Sequence, residues 1–140
     1  KYAGIAARYE NDDGNANGVD ADLKVDKKTL LVPRSGQLSG IIGTAVLPYG
    51  KLIQGAISED AIRIRCNNEI EAGYLFIALS SEYGRRQLKA RAYGSSIPHL
   101  DVYQIGQVLV PALEEGIRTE IGRKGSNSSE LRSKAILLEN

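Results

Sequence analysis

The hydrophobic period of this chain changes at Asn67-Asn68. Before that pair, apolar residues come in short runs separated by Gly, Pro and Ser; after it they recur at helical spacing. Upstream, Thr29 to Pro33 is short, apolar and rich in β-formers, and Ile41 to Leu47 and Leu52 to Ile57 read as extended. Ala61 to Cys66 alternates Ile62, Ile64 and Cys66 against Arg63 and Arg65, the pattern of a half-buried strand. Several short strands at such close spacing predict a curled mixed or antiparallel sheet, not a βαβ series.

Downstream, Tyr74, Ile77, Ala78 and Ser81 form one stripe, followed by Leu88 and Ala92, which predicts helix from Ile70 to Ala92. Gly84 is expected to break it in two. Pro98 holds Ile97 extended, a short helix is expected from about His99 to Ile105, and a strand from Val108 to Val110 ends at Pro111. A further helix from Leu113 has Glu114 and Glu115 suitably placed against the positive end of its dipole. Gly125-Ser126-Asn127-Ser128-Ser129 is expected to interrupt it, and Asn127 with Glu130 has the spacing of a capping box for a helix resuming at Leu131. The class is therefore α+β, a sheet with flanking helices and a C-terminal helical arm. Leu131, Ala135, Ile136, Leu137 and Leu138 give that arm more apolar surface than a short solvated helix can justify. It is expected to pack on a partner, a second copy included, and to be separable from a folded domain that ends at Gly125.

A chain of 140 residues suits one compact domain. It contains no Met, so it is expected to be an excised piece of a longer protein. Its one cysteine, Cys66, excludes an internal disulfide and any multi-cysteine metal site, and its place in the alternating run predicts a buried thiol. No apolar run approaches the roughly 18 residues that span a bilayer, so no membrane partner is expected and a reducing cytoplasm is the natural compartment. Glu10 to Asp22 is polar and glycine-rich, a loop or long mobile hairpin tip; it lacks the ligand spacing and terminal Glu of a calcium loop.

Catalysis finds little support in the residues. His99 is the one histidine and sits beside Pro98 in no nucleophile-elbow context. The glycine-rich stretch from Gly36 to Gly43 lacks the lysine of a phosphate-binding loop, and no metal site or cofactor is implied. Recognition fits better. Net charge is only +1, yet residues 31–58 carry Arg34 and Lys51 with no acid, and residues 72–100 carry Arg85, Arg86, Lys89 and Arg91 against Glu82 alone. Such segments suit a phosphate-facing surface or ordinary solvated faces. Arg34-Ser35-Gly36-Gln37, with Ser39 beyond, offers a fork donor, hydroxyls and an amide on one turn; Arg91-Ala92-Tyr93-Gly94-Ser95-Ser96 does the same with an aromatic. The same glycines also serve simply to make tight turns.

The order of these elements resembles the target-recognition domain of type I restriction–modification specificity subunits. The resemblance rests on Leu30 to Gly36, Tyr74-Leu75, Gly94-Ser95-Ser96, Leu100 to Pro111 and Leu113-Glu114-Glu115, with Ile121-Gly122 and Leu131 to Ala135 as spacer. It runs from about Leu30 to the end and is loose before that. It implies a non-catalytic reader of duplex DNA, residues 1–112 forming the recognition domain and 113–140 the start of a coiled-coil-type spacer helix. It also implies two such domains per subunit, with a modification (methyltransferase) subunit and a restriction subunit as partners. Arg34, Gln37 and Arg91 are then the expected base or phosphate contacts, supported by Ser35, Gly36 and Ser39. Tyr93, Gly94, Ser95, Ser96 and His99 form the second loop, and Arg86 and Lys89 position the backbone. Two other readings of the residues stand beside this one. The first is a protein-interaction module docking through Tyr-rich loops and the terminal helix; the second is a small hydrolase.

Overall fold

The computed structural model describes residues 2–5, 24–53 and 55–139; the acidic 10–22 stretch lies outside them. The chain is α+β. Its elements are strands β1 (Tyr2–Gly4), β2 (Thr29–Pro33) and β3 (Ala61–Arg65), helices α1 (Glu69–Ser80), α2 (Glu82–Arg91) and α3 (Val102–Gly106), strand β4 (Leu109–Pro111) and helix α4 (Glu115–Glu139).

β2 is the centre of the sheet portion. It pairs antiparallel with β3, Thr29 opposite Arg65 and Pro33 opposite Ala61. On its other side Leu31 and Val46 exchange both backbone hydrogen bonds, at 2.9 and 2.8 Å. Flanked on both edges and covered on both faces, β2 is a nearly continuous apolar run, with Leu30 and Val32 fully enclosed. β3 buries Ile62 and Ile64 and turns its arginines outward, as the alternation predicts. β1 pairs antiparallel with β4 as a second short ladder. Ile41 to Leu47 and Leu52 to Ile57, expected to be extended, instead form turns and a short 3-10 segment (Gly50–Leu52), with Val46 and Ala56 making single bridge pairings. Glycines at 36, 40, 43, 50 and 55 explain the difference: the apolar residues between them are buried one at a time, Ile42 and Leu47 among them, without a run long enough to pair.

Helix α1 begins where the period changes. Asn68 is its N-cap, accepting from the Glu71 N–H at 2.9 Å, while the Glu71 carboxylate accepts from Asn67 N–H at 2.7 Å. The break between α1 and α2 falls at Ser81, not at Gly84. Ser81 Oγ donates to the Ala78 carbonyl and accepts from Gly84 N–H, so a single hydroxyl closes one helix and caps the next.

The largest departure from expectation is α4, which is continuous for 25 residues from Glu115. Gly125 to Ser129 does not interrupt it. Gly122, Gly125 and Ser129 are its buried residues, and the two glycines lie against α1. A Cβ at Gly73 of α1 would collide with the Gly122 carbonyl and stand 2.6 Å from Ser126 N; one at Gly125 would stand 2.7 Å from the Gly73 carbonyl carbon. The two helix backbones touch, and only glycine permits it. The intrinsic helix cost of Gly, roughly 1 kcal/mol each, is offset by dispersion contacts over that approach. The serines are equally structural. Ser129 Oγ donates to the Pro48 carbonyl, Ser133 Oγ accepts from Gly50 N–H at 2.8 Å, Lys27 pairs with Glu130 at 3.2 Å, and Arg132 lies over the Tyr49 ring. The helix is thus part of the body as far as Ile136, whose Cδ1 lies 3.6 Å from where a Gly50 Cβ would be, and Asn127–Glu130 is no cap; the pair of that spacing that does cap a helix is Asn68–Glu71.

Cys66 lies one residue beyond β3, half-buried against the core. Burial, reinforced by Glu71 and Asp26, pushes its thiol up to about 12. The neutral thiol is favoured in the fold, so its stabilisation is complete below the ordinary value of 9 and is lost as pH rises from there toward 12.

This packing sets what substitution, truncation and alkylation should do. Gly73→Ala and Gly125→Ala should each lower stability in urea melts by about 2–3 kcal/mol. Gly116→Ala, where a Cβ meets nothing within 4 Å, should raise it by up to about 1 kcal/mol. Ending the chain after Ile136 should leave the melt unchanged. Ending it after Gly125 should cost at least about 2 kcal/mol, from the Ser129 and Ser133 hydrogen bonds at roughly 1 kcal/mol each. Finally, iodoacetamide at pH 8 should modify Cys66 at least about tenfold more slowly in the folded chain than in urea.

Candidate nucleic-acid interface

The two loops that the sequence puts forward lie far apart along the chain, and backbone hydrogen bonds bring them together. β2 runs out at Pro33, and Arg34 then takes a partner on each side: its N–H donates to the Asp60 carbonyl and its carbonyl accepts from Leu100 N–H, both at 2.7 Å. Gly36 N–H donates to the Pro98 carbonyl at 3.2 Å, and Ser35 pairs with His99 across this bridge. His99 in turn exchanges both backbone bonds with Tyr93, at 2.7 and 2.9 Å. His99 is therefore the middle of three aligned segments, 34–36, 98–100 and 93. Arg34-Ser35-Gly36 and the Tyr93–His99 loop share one edge of the molecule.

Local sequence explains each loop. Gly94 sits at φ +104°, and a Cβ there would come 2.9 Å from the Ile97 carbonyl, so Ser95 and Ser96 are carried outward on a tight bend. Gln37 to Gly40 closes a turn through Gly40 N–H to the Gln37 carbonyl, leaving Gln37 and Ser39 exposed. The Tyr93 hydroxyl donates to Asp101 at 3.4 Å, and the Tyr93 and His99 rings stand tilted 6.3 Å apart. Asp101 also caps α3, accepting from Tyr103 and Gln104 N–H, which ties the loop's exit to a helix start.

The basic residues fall into three groups. Lys89 is exposed and its stem lies against the chain that follows the first loop, its Cγ only 2.6 Å from where a Gly43 Cβ would be. Arg86 forms an exposed ion pair with Glu82, one turn back on α2. Arg91 is used differently from the others. Its guanidinium donates to the Gln87 carbonyl at 3.2 Å and to the Gln107 carbonyl at 3.1 Å, and its buried Nε has no hydrogen-bond partner. It pins the end of α2 to the turn before β4.

Gln87, which no sequence pattern singles out, completes that clamp. Its amide donates to the Leu109 carbonyl at 2.8 Å and accepts from Leu109 N–H at 2.9 Å, pairing the β4 backbone as a further strand would. A single Gln on a helix gives no periodic signal for such a role. Asp101 was legible in principle, since an Asp before a short apolar helix is an N-cap signature.

Among the described residues no group of three His, Cys, Asp or Glu could hold a metal ion. No described helix is long and apolar enough to cross a membrane. Side-chain donors on one edge, cations beside them and backbone-fixed loops can position and read a polyanion.

No family model matches the chain, and no curated protein does. Among solved structures it is similar to the crystal structure of the type I restriction–modification system S subunit from M. genitalium. The TM-score is 0.59 at 12% identity, covering 89% of this chain and 37% of that one. The chain thus spans little more than a third of that subunit's length. At this identity the likeness is one of fold: this chain is folded like part of a type I restriction–modification S subunit.

Proposed function

We propose that the edge formed by Arg34 to Gln37 and Tyr93 to His99 reads duplex DNA, as the recognition part of a type I specificity subunit. The observation that carries the reading is the pairing of Ser35, His99 and Tyr93. It joins on one edge two loops, 34–37 and 93–99, from segments that contain no acid, residues 31–58 and 83–100. The shared fold with an S subunit supports the same role. In this reading Arg34, Ser35, Gln37, Ser39, Ser95, Ser96 and His99 face base edges and the nearby backbone. Arg86 and Lys89 meet phosphates, Gly36 and Gly94 shape the loops, and Arg91 and Tyr93 hold the second loop in place. The chain carries no chemistry of its own and directs separate modification and restriction subunits to the site, in the cytoplasm. Residues to 112 form the reader and α4 begins the spacer.

The outer face of α4 supports a helical partner. Ile117, Leu131 and Leu138 are exposed and fall at multiples of seven residues along it. They pair with another helix of the subunit, or with a second copy of this chain when it is isolated. Sedimentation of the chain should show self-association that Leu131→Glu with Leu138→Glu abolishes while circular dichroism stays unchanged. A monomer at all concentrations would remove the spacer from this reading.

For DNA, titration of the full subunit with duplexes should give an affinity that falls about tenfold or more between low and physiological salt. Lys89→Ala should weaken all duplexes alike. Arg34→Ala or Gln37→Ala should cost about 1–3 kcal/mol on a selected site and blur discrimination there. Equal losses on selected and random duplexes from all three would show that the first loop does not read bases.

A further inference from the structure

Three of the exposed side chains on the candidate edge are large and apolar. Leu38, Ile41 and Ile97 are 47%, 58% and 55% exposed, on the tips of the two loops that meet at Gly36 and Pro98. Ile41 leans on the first loop itself: a Cβ at Gly36 would stand 2.8 Å from its Cγ1. Gly36 N–H is bonded to the Pro98 carbonyl, so Ile97 adjoins the same point. Both are β-branched and stiff at χ1, and each stands on a segment whose backbone is held by hydrogen bonds at its base. Apolar groups fixed in this way lose little rotamer freedom when they are covered.

The surroundings select what covers them. Arg34, Gln37, Ser39, Ser95 and Ser96 flank these tips in the chain, and neither segment 31–58 nor 83–100 contains an acid; the Asp101 carboxylate that follows is engaged by the Tyr93 hydroxyl and the α3 N–H groups. That balance suits a polyanion and opposes an acidic or purely apolar protein surface. On a duplex, the apolar feature presented among hydrogen-bonding base edges is the thymine 5-methyl group of the major groove. We infer that Ile41 and Ile97 are specificity-determining residues that contact thymine methyls, placed between the polar side chains that read the neighbouring edges. The inference rests on the DNA-reading proposal and sharpens it.

The test uses the full subunit and a pool of randomised duplexes. Sites are selected, and each thymine in the selected site is then replaced singly by deoxyuridine, which removes the methyl alone. At one or more positions the wild-type affinity should fall about threefold to fivefold, the equivalent of one buried methyl. That sensitivity should vanish in Ile41→Ala or Ile97→Ala and persist in the matching Ile→Val variants, with the salt dependence unchanged. The inference is overturned by a selected site without thymine, by wild-type binding indifferent to every replacement, or by sensitivity that survives both alanine variants. It is also overturned if the alanine variants instead straighten a bent duplex, which would make the two residues wedges between base steps. If the wild type selects no duplex at all, the DNA-reading proposal itself fails.

Discussion

The backbone contact between α1 and α4 is the constraint on which the other placements depend. Gly73 meets Gly122 and Gly125 with no side chain between the helices. Two helices ordinarily stand 8–10 Å apart because side chains separate them; three glycines allow a closer approach. α1 is thereby held between α4 and the β2–β3 ladder, and its Tyr74 hydroxyl reaches the Pro111 carbonyl at the end of β4. Everything downstream takes its direction from α1. Ser81 turns the chain into α2, Gln87 and Arg91 fasten α2 to residues 107–109, and the loop from Tyr93 begins where that fastening ends.

The candidate edge is electrostatically local. A chain of net charge +1 has no long-range field to attract a polyanion. What it has is segregation. Residues 31–58 and 83–100 contain no acid whereas residues 101–122 carry four, so a positive region exists only over the short distance at which screening by salt is incomplete. Arg86 has its charge partly matched by Glu82 and Arg91 is turned inward. The positive character of the edge therefore rests chiefly on Arg34 and Lys89, with Arg85 near.

Period and caps were legible in the sequence wherever they are local. β2 falls where the apolar run Thr29 to Pro33 put it, β3 where Ile62 and Ile64 alternate, and α1 begins one residue from the expected start because Asn68 caps it. The misreadings in the helices share one cause, which is structural use of residues that look like breakers. Gly125 to Ser129 reads as a linker by composition, yet Gly125 exists to let Gly73 approach and Ser129 to bond Pro48. Gly84 reads as a break, but a serine hydroxyl is the better terminator and stands three residues earlier. At the candidate edge, the sequence named both loops without being able to join them. Nothing local says that Ser35 pairs with His99, and nothing local separates Arg91, which holds the frame, from Lys89, which is exposed.

The way stability is distributed bears on what such an edge can do. The loops are fixed by main-chain bonds at Arg34, Gly36, Tyr93 and His99 and by the backbone angles of Gly36 and Gly94. The fold is fixed by the glycine seam and by a core that includes Leu30, Val32, Ile64 and Leu88. Side chains at 37–39, 41 and 95–97 enter neither set; they are exposed, and their substitution belongs to the class that changes stability by less than about 0.5 kcal/mol. Main-chain hydrogen bonds are indifferent to side-chain identity, so the same frame would hold a different set of side chains. A surface whose contacts can be exchanged without loosening its support is suited to discriminating among closely similar polymers. Here the separation of support from contact follows from where glycine and backbone, rather than side chains, carry the structure.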